Sequence, residues 1–421
     1  MISSRRGFFK NGLLMLGASA LGLDMLNTAY PAGVLAETLA QTQQSNNILV
    51  IVQMAGGNDG LYAVAPYTDP LLAQNRPTLA LSAQDVIPLS SAMGLNKELG
   101  ALQPLWESGN MAVMQGVGYP DPILSHFQSM YIWESLDMTG QQGSSEYGWL
   151  GKYLSTLPNA QSQPLNGIET STQLPYALLA PNLSVPAIAS AANFKLQSAA
   201  QTSAAIDQTR TSLLLQLYTS FAQANAQNTL SGLLSSVSAT TVSAAADFDK
   251  AYASYKPAIT YPKSALASQL QIVAGAITQN VGVKVAYVIV GGFDTHVNAK
   301  ETLQQLYPEL AAAIAAFWQD LHAHSADNNV LMMTWSEFGR RVKENGGMGT
   351  DHGTAAPLFV FGPKVKGGLY GPDPDLSTLD TNGNLVYSTD FRSVYATVLT
   401  KWAQANTTSL LGGNYPLLNF L

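Results

Sequence analysis

Five runs of apolar residues punctuate the chain: Ile48–Met54, Met111–Gly116, Val283–Val290, Val330–Thr334 and Leu358–Phe361. Several are continuously hydrophobic and do not alternate, as expected of strands covered on both faces. Helical spacing lies between them. Leu310, Ile314, Phe317 and Leu321 recur at intervals of four, three and four, which predicts a helix joining the third run to the fourth in a βαβ unit. A last helix is predicted to start at Thr389 or Asp390, either of which can cap it, and to run through Tyr395, Leu399 and Trp402. The stretch 185–275 differs. It is dominated by Ala, Ser, Gln and Thr, has no proline between Pro186 and Pro257, and reads as a helical insertion. It carries no histidine, so the chemistry is expected elsewhere.

Polar residues follow the strands. Ile48–Met54 is followed by Gly56-Gly57-Asn58-Asp59-Gly60, Val283–Val290 by Gly292-Phe293-Asp294-Thr295-His296, and Val330–Thr334 by Trp335-Ser336-Glu337-Phe338-Gly339-Arg340. Met111–Gly116 is followed, after a loop, by Ser125-His126, and a glycine-rich loop leads to Asp351-His352. In an open parallel sheet, ligands bind outside the carboxyl ends of the strands, so these groups are expected to share one rim. Each motif alone has a plainer reading. Asn58-Asp59-Gly60 is also an ordinary turn sequence, Asp294-Thr295-His296 a helix cap, and Glu337 with Arg340 an ion pair. His322 and His324, near a helix end, suit the helix dipole and need no further role.

Composition narrows the chemistry. The 421 residues are 47% hydrophobic and only 11% charged, enough apolar material for a large α/β domain with an insertion. A net charge of −7 argues against a nucleic-acid partner. The absence of cysteine removes disulfides, thiolate zinc sites, iron–sulfur clusters and cysteine nucleophiles. Any metal must therefore be held by His, Asp, Glu, Asn or hydroxyl oxygen. Asp59, Asp294, His296, Glu337, Asp351 and His352 are the candidate ligands for one or two divalent cations, with Zn, Mn, Mg, Ca and Fe all open. Ser125, His126 and Arg340 are the candidate catalytic residues.

The N-terminus reads as an address. Arg5-Arg6 with Phe8, Phe9 and Lys10 matches a twin-arginine export signal, followed by a weakly apolar run and by Val34-Leu35-Ala36 as a cleavage site. Residues 1–36 are thus expected to be a leader recognised by the twin-arginine translocase. The rest, 45–421, is expected to be a periplasmic or extracellular α/β domain with no stable transmembrane anchor.

Taken together, the twin-arginine signal, Gly56-Gly57-Asn58-Asp59-Gly60-Leu61, Ser125-His126-Phe127, Gly148-Trp149-Leu150-Gly151, Gly292-Phe293-Asp294-Thr295-His296 and Trp335-Ser336-Glu337-Phe338-Gly339-Arg340 with Asp351-His352 resemble the domain-of-unknown-function family 1501. That family is similar to the alkaline phosphatase and sulfatase superfamily. The resemblance implies an alkaline-phosphatase-like α/β sandwich, with a mostly parallel central sheet flanked by helices. It implies a two-metal site and a hydroxyl nucleophile attacking a small-molecule or polymeric phosphate or sulfate ester. By position, Asp59 corresponds to the superfamily's first metal-binding Asp, Ser125 to the nucleophile and His352 to the final His. Asp294 and His296 stand where the superfamily has Asp-x-x-x-His, at the shorter spacing Asp-x-His, and Ser336-Glu337 stands where it has Asp-His. Alternatively, Asp351-His352 is that Asp-His pair, and no later histidine follows. A non-catalytic, metal-stabilised binding protein on the same fold is the competing reading. A serine hydrolase is a weaker third, because no Gly-x-Ser-x-Gly elbow surrounds Ser125.

Overall fold

A computed structural model describes residues 46–145, 147–171, 174–181, 183–190, 209, 212–217, 219–220 and 230–421. The expected leader, 1–36, lies outside the described residues. Within the described residues, Asn47–Leu421 form one compact unit.

Apart from a small three-stranded sheet (Val64–Ala65, Val86–Pro88 and Gly94–Asn96), the strands are β1 (Ile48–Met54), β2 (Met111–Gly118), β3 (Gly167–Glu169), β4 (Val285–Val290), β5 (Val330–Trp335), β6 (Arg340–Glu344), β7 (Thr350–His352), β8 (Ala356–Phe361), β9 (Gly368–Tyr370) and β10 (Thr389–Asp390). Eight of them build the central sheet, in the order β9-β2-β8-β5-β1-β4-β3 with β10 beside β2. β1 pairs in parallel with both β4 and β5, and β3 with β4. Within this sheet only β8 runs against its neighbours, β2 and β5. All five apolar runs are therefore strands of one mostly parallel sheet. The run expected as Val283–Val290 begins at Val285 instead. Lys284, which precedes it, donates its backbone N–H to the Asn166 carbonyl.

The continuous hydrophobicity has the expected cause. Along β1, Val50, Val52 and Met54 join the core on one face, while Leu49 and Ile51 join the core on the other. On the first face lie α3 (Ala265–Thr278) and α4 (Ala299–Ala323), introduced in chain order after α1 (His126–Ser135) and α2 (Leu230–Tyr252). α4 carries the predicted Leu310, Ile314, Phe317 and Leu321, all buried. It links β4 to β5, which are not adjacent, because β1 lies between them. On the second face lie α1 and α5 (Phe391–Thr397), where Trp133 stacks on Trp335 with centroids 5.2 Å apart. Asp390 caps α5 as predicted, accepting the Arg392 N–H, and the helix continues as a π-helical turn over Val398–Trp402.

Much of the Ala/Ser/Gln-rich stretch 185–275 lies outside the described residues. Its described part contains α2 and the start of α3. Among the described residues, no helix is long and apolar enough to cross a membrane.

Candidate metal centre

The polar loops meet above the carboxyl ends of β1, β4 and β5. Backbone crowding decides how closely. A side chain on Gly56, whose φ is +123°, would lie 2.5 Å from the Asp294 backbone nitrogen, so only glycine lets the loop after β1 touch the loop after β4. A Cβ on Gly349 would sit 2.3 Å from the His296 carbonyl carbon, so the β6–β7 hairpin can lie directly against His296.

Three histidines point inward from three elements. His126 opens α1, His296 follows β4 and His352 ends β7. Each has an acceptor oxygen at Nδ1: the Glu337 carboxylate at 2.7 Å from His126, Asp351 Oδ1 at 3.3 Å from His296, and the Leu124 carbonyl at 2.8 Å from His352. An acceptor there places the proton on Nδ1 and leaves a lone pair on Nε2. The three Nε2 atoms then converge on one oxygen. Asp294 Oδ1 lies 3.4 Å from that of His126, 3.1 Å from that of His296 and 3.2 Å from that of His352. His296 Nε2 and His352 Nε2 are 3.0 Å apart. Two imidazole lone pairs at that distance, facing a carboxylate, repel unless a cation or proton sits among them. His126 Nε2 is buried and has no hydrogen-bond partner. A ligand atom of His126, one of Asp294 and one of His352 lie within 4.8 Å of one another. His126, Asp294 and His352, with His296 Nε2 beside the latter two, are a thiolate-free donor set for a borderline divalent cation. On this chemistry the residues fit a metal.

The supports are specific. Glu337 is buried; its Oε1 accepts the Gly56 N–H at 2.9 Å as well as binding His126. Its carboxylate pushes the His126 imidazole above its usual range, against the opposing effect of burial. Asp351 accepts from Asn345 Nδ2 at 3.1 Å, and chiefly this bond holds its carboxyl low. The Phe338 ring packs on His126 and His352, with centroids 4.9 and 4.6 Å away. Burial acts to raise the Asp294 carboxyl, but the hydrogen bond and charge of Arg340 lead the effects that outweigh it and bring it to about 2. The Asp294 side chain is still 49% exposed, so the centre is open to solvent.

The candidates from the sequence therefore divide. Asp294, His296 and His352 are brought together with His126, which was expected to be catalytic and whose Nε2 faces the same Asp294 oxygen. Glu337 and Asp351, also expected as ligands, lie against the Nδ1 atoms of His126 and His296. Arg340 is buried and turned inward. It binds the carbonyls of Gly56, Gly57, Phe293 and Thr350 and, at 2.7 Å, Asp294 Oδ1, tying three loops together. Asp59 does not reach this cluster. It caps the short helix Gly60–Ala63 and forms a fully buried pair with Arg76, both oxygens within 2.9 Å of Nη1. Its cap to the Tyr62 N–H matches the turn reading of Asn58-Asp59-Gly60. Ser125 is the N-cap residue of α1, half-buried, with no capping hydrogen bond from its side chain.

Arg76, the Leu124 carbonyl and Asn345 were missed. No local pattern marks Arg76 or a backbone oxygen. Asn345 did carry a signal: Asn-Gly-Gly is a turn sequence, and Asn345 Oδ1 accepts the N–H groups of Gly347 and Gly349. Replacing Glu337 with Gln is expected to weaken metal binding roughly tenfold or more, the usual cost of losing a carboxylate behind a ligating imidazole. Competitive chelator titration would check it; unchanged affinity would mean that the His126 ring needs no such support.

The model of a family described as protein of unknown function, DUF1501, matches residues 108–417. No curated protein matches the chain. Among solved structures it is similar to the PsFucS1 sulfatase from Pseudoalteromonas sp., at 11% identity over 91% of this chain and 75% of that one, with a TM-score of 0.37. It is similar to the C-terminal periplasmic domain of EcEptC from Escherichia coli in complex with Zn, at 10% identity over 76% and 74%, TM-score 0.34. It is similar to the alkaline phosphatase of the Antarctic bacterium TAB5, at 10% identity over 77% and 94%, TM-score 0.27.

Proposed function

The chain belongs to the DUF1501 family, whose description carries no activity, and we propose from the site itself that it is an exported, metal-dependent hydrolase of phosphate or sulfate esters. The observation that carries the reading is the convergence of three Nε2 atoms and Asp294 Oδ1 at a solvent-open position, each imidazole held from behind by an oxygen. A divalent cation bound there supplies Lewis acidity toward an ester oxygen. The chain's own residues supply the rest. His126, His296, His352 and Asp294 would hold the cation, and Arg340 fixes Asp294 and the loops. Ser125, one residue before His126, offers a hydroxyl at the start of a ten-residue helix. The amide groups and positive end of that helix favour an anion. Ser125 is the proposed nucleophile; the ester's alcohol leaves, and water then releases the anion from the serine.

One observation favours the competing reading of a metal-stabilised binding protein. Arg340, the arginine of the Trp335–Arg340 motif, is turned inward and buried, not toward a transferring group. Turnover decides. Protein loaded in turn with zinc, manganese or magnesium is expected to release nitrophenol from its phosphate or sulfate ester. Ser125→Ala is expected to lower kcat at least about a hundredfold with metal content unchanged. Metal bound by the wild type and lost in His352→Ala, with neither ester cleaved, would overturn the hydrolase and leave the binding protein.

Export is proposed from Arg5-Arg6. Replacing both with Lys is expected to hold the protein in the cytoplasm, because the twin-arginine route discriminates against lysine and the general route does not. Cell fractionation showing normal export of the double variant would refute it.

A further inference from the structure

Around the polar centre the surface turns apolar. Phe127 is 73% exposed, Val297 62% and Met348 51%. These three are among the eight large apolar side chains that the described residues leave exposed. Phe127 directly follows His126, Val297 directly follows His296, and Met348 belongs to the turn that leads into His352. Each therefore lies within four residues of a histidine of the centre.

This rim is built, not loose. Asn345 Oδ1 accepts the N–H groups of Gly347 and Gly349, and the Met348 N–H reaches the Asn345 carbonyl. The N–H groups of Asn298 and Ala299 bind the carbonyls of Gly347 and Met348, each at 3.0 Å, which locks the two turns together. Both turns hold a non-glycine residue in the left-handed region, Asn298 at φ 48° and Met348 at φ 56°. Strained backbone held this firmly, with apolar side chains facing water, is a feature of binding surfaces. The same rim disfavours a second anionic group, because the half-exposed Asp351 stands beside His296.

We infer that the ester taken by this site has one anionic head at the metal centre and a bulky apolar alcohol, aryl or long-chain alkyl, lying on Phe127, Val297 and Met348. The inference rests on the ester reading above. Binding of non-hydrolysable analogues tests it apart from catalysis. Methyl-, benzyl- and octylphosphonate, with the matching sulfonates, are titrated by calorimetry into the zinc-loaded full chain. Benzyl or octyl analogues are expected to bind at least about tenfold more tightly than methyl, the scale of one well-seated aromatic anchor. A benzyl advantage over octyl marks an aryl ester, the reverse a long-chain one. Phe127→Ala and Met348→Ser are expected to shrink the advantage while leaving methylphosphonate affinity and zinc content unchanged. Equal affinity for all chain types in the wild type, or an advantage untouched in both variants, overturns the inference and leaves the ester reading standing. A fall in sedimenting mass on Phe127→Ala with equal analogue affinities would assign the rim to a second copy, which also overturns it. Failure of every analogue to bind overturns both readings.

Discussion

Adding zinc to metal-depleted protein is expected to raise its melting temperature, and to leave that of His352→Ala unchanged. The cluster exists only in the folded chain, since the residues proposed to hold the metal come from α1, the loop after β4 and the β6–β7 hairpin. A ligand that binds only the folded state stabilises it by mass action, by about 2.7 kcal/mol at a hundredfold excess over its dissociation constant, or roughly 3 °C for a unit of this size. The relief of repulsion at the centre acts in the same direction. His296 Nε2 and His352 Nε2 stand 3.0 Å apart with a carboxylate beside both, and a cation removes that conflict. Protons compete for the same lone pairs, so the zinc-induced shift is expected to shrink as the pH falls through the imidazole range. Glu337 raises the affinity of His126 for a proton, which adds to that competition. Differential scanning fluorimetry between pH 8 and pH 5, with elemental analysis of each sample, checks both parts. Equal zinc shifts in the wild type and His352→Ala would place the metal elsewhere.

The sheet was legible in the sequence because its strands are buried on both faces. A run such as Val50-Ile51-Val52, completely covered on two sides, has no polar position to break it. The C-terminal helix was legible because its cap is a local device, Asp390 against the Arg392 N–H. The rim was legible because chemistry at the ends of parallel strands follows from topology. What could not be read was which carboxylate does what. Asp59 and Asp294 each follow a strand and a pair of glycines, and nothing local separates them. The difference is set by residues far along the chain: Arg76 closes on Asp59, whereas three imidazoles and Arg340 close on Asp294. Glu337 and Asp351 were legible as site residues but not as supports, since that role depends on which nitrogen of a distant histidine they meet. His126 was legible only as chemistry next to a serine, because its orientation toward the other imidazoles comes with the Glu337 bond across 211 residues of chain.

Asp59→Asn is expected to destabilise the fold by about 3–5 kcal/mol, the cost of breaking a buried ion pair. Both side chains of the Asp59–Arg76 pair are 0% exposed, so no water can replace the lost partner. Removing the aspartate charge strands a guanidinium, which cannot shed its proton to escape the penalty. Asp59 also accepts the Tyr62 N–H at 3.2 Å and the Thr350 hydroxyl at 3.1 Å, so it joins the loop after β1 to the strand that carries His352. From its other side Arg76 donates Nε to the Val342 carbonyl and Nη2 to the Arg341 carbonyl, holding β6. The pair therefore braces the hairpin behind the metal centre without touching the centre. Arg76→Met is expected to cost a similar amount, by burying an unpaired carboxylate. The double variant Asp59→Asn with Arg76→Met is expected to lose less than the sum of the two, because neither charge is then left alone. Urea denaturation of the three variants measures these costs, and zinc titration of the folded fraction measures the site. Zinc affinity is expected to stay within about threefold of the wild type in Asp59→Asn, since the four converging donors remain in place. Asp59→Asn that keeps its stability and loses zinc would return Asp59 to the ligand set and make the buried pair with Arg76 incidental.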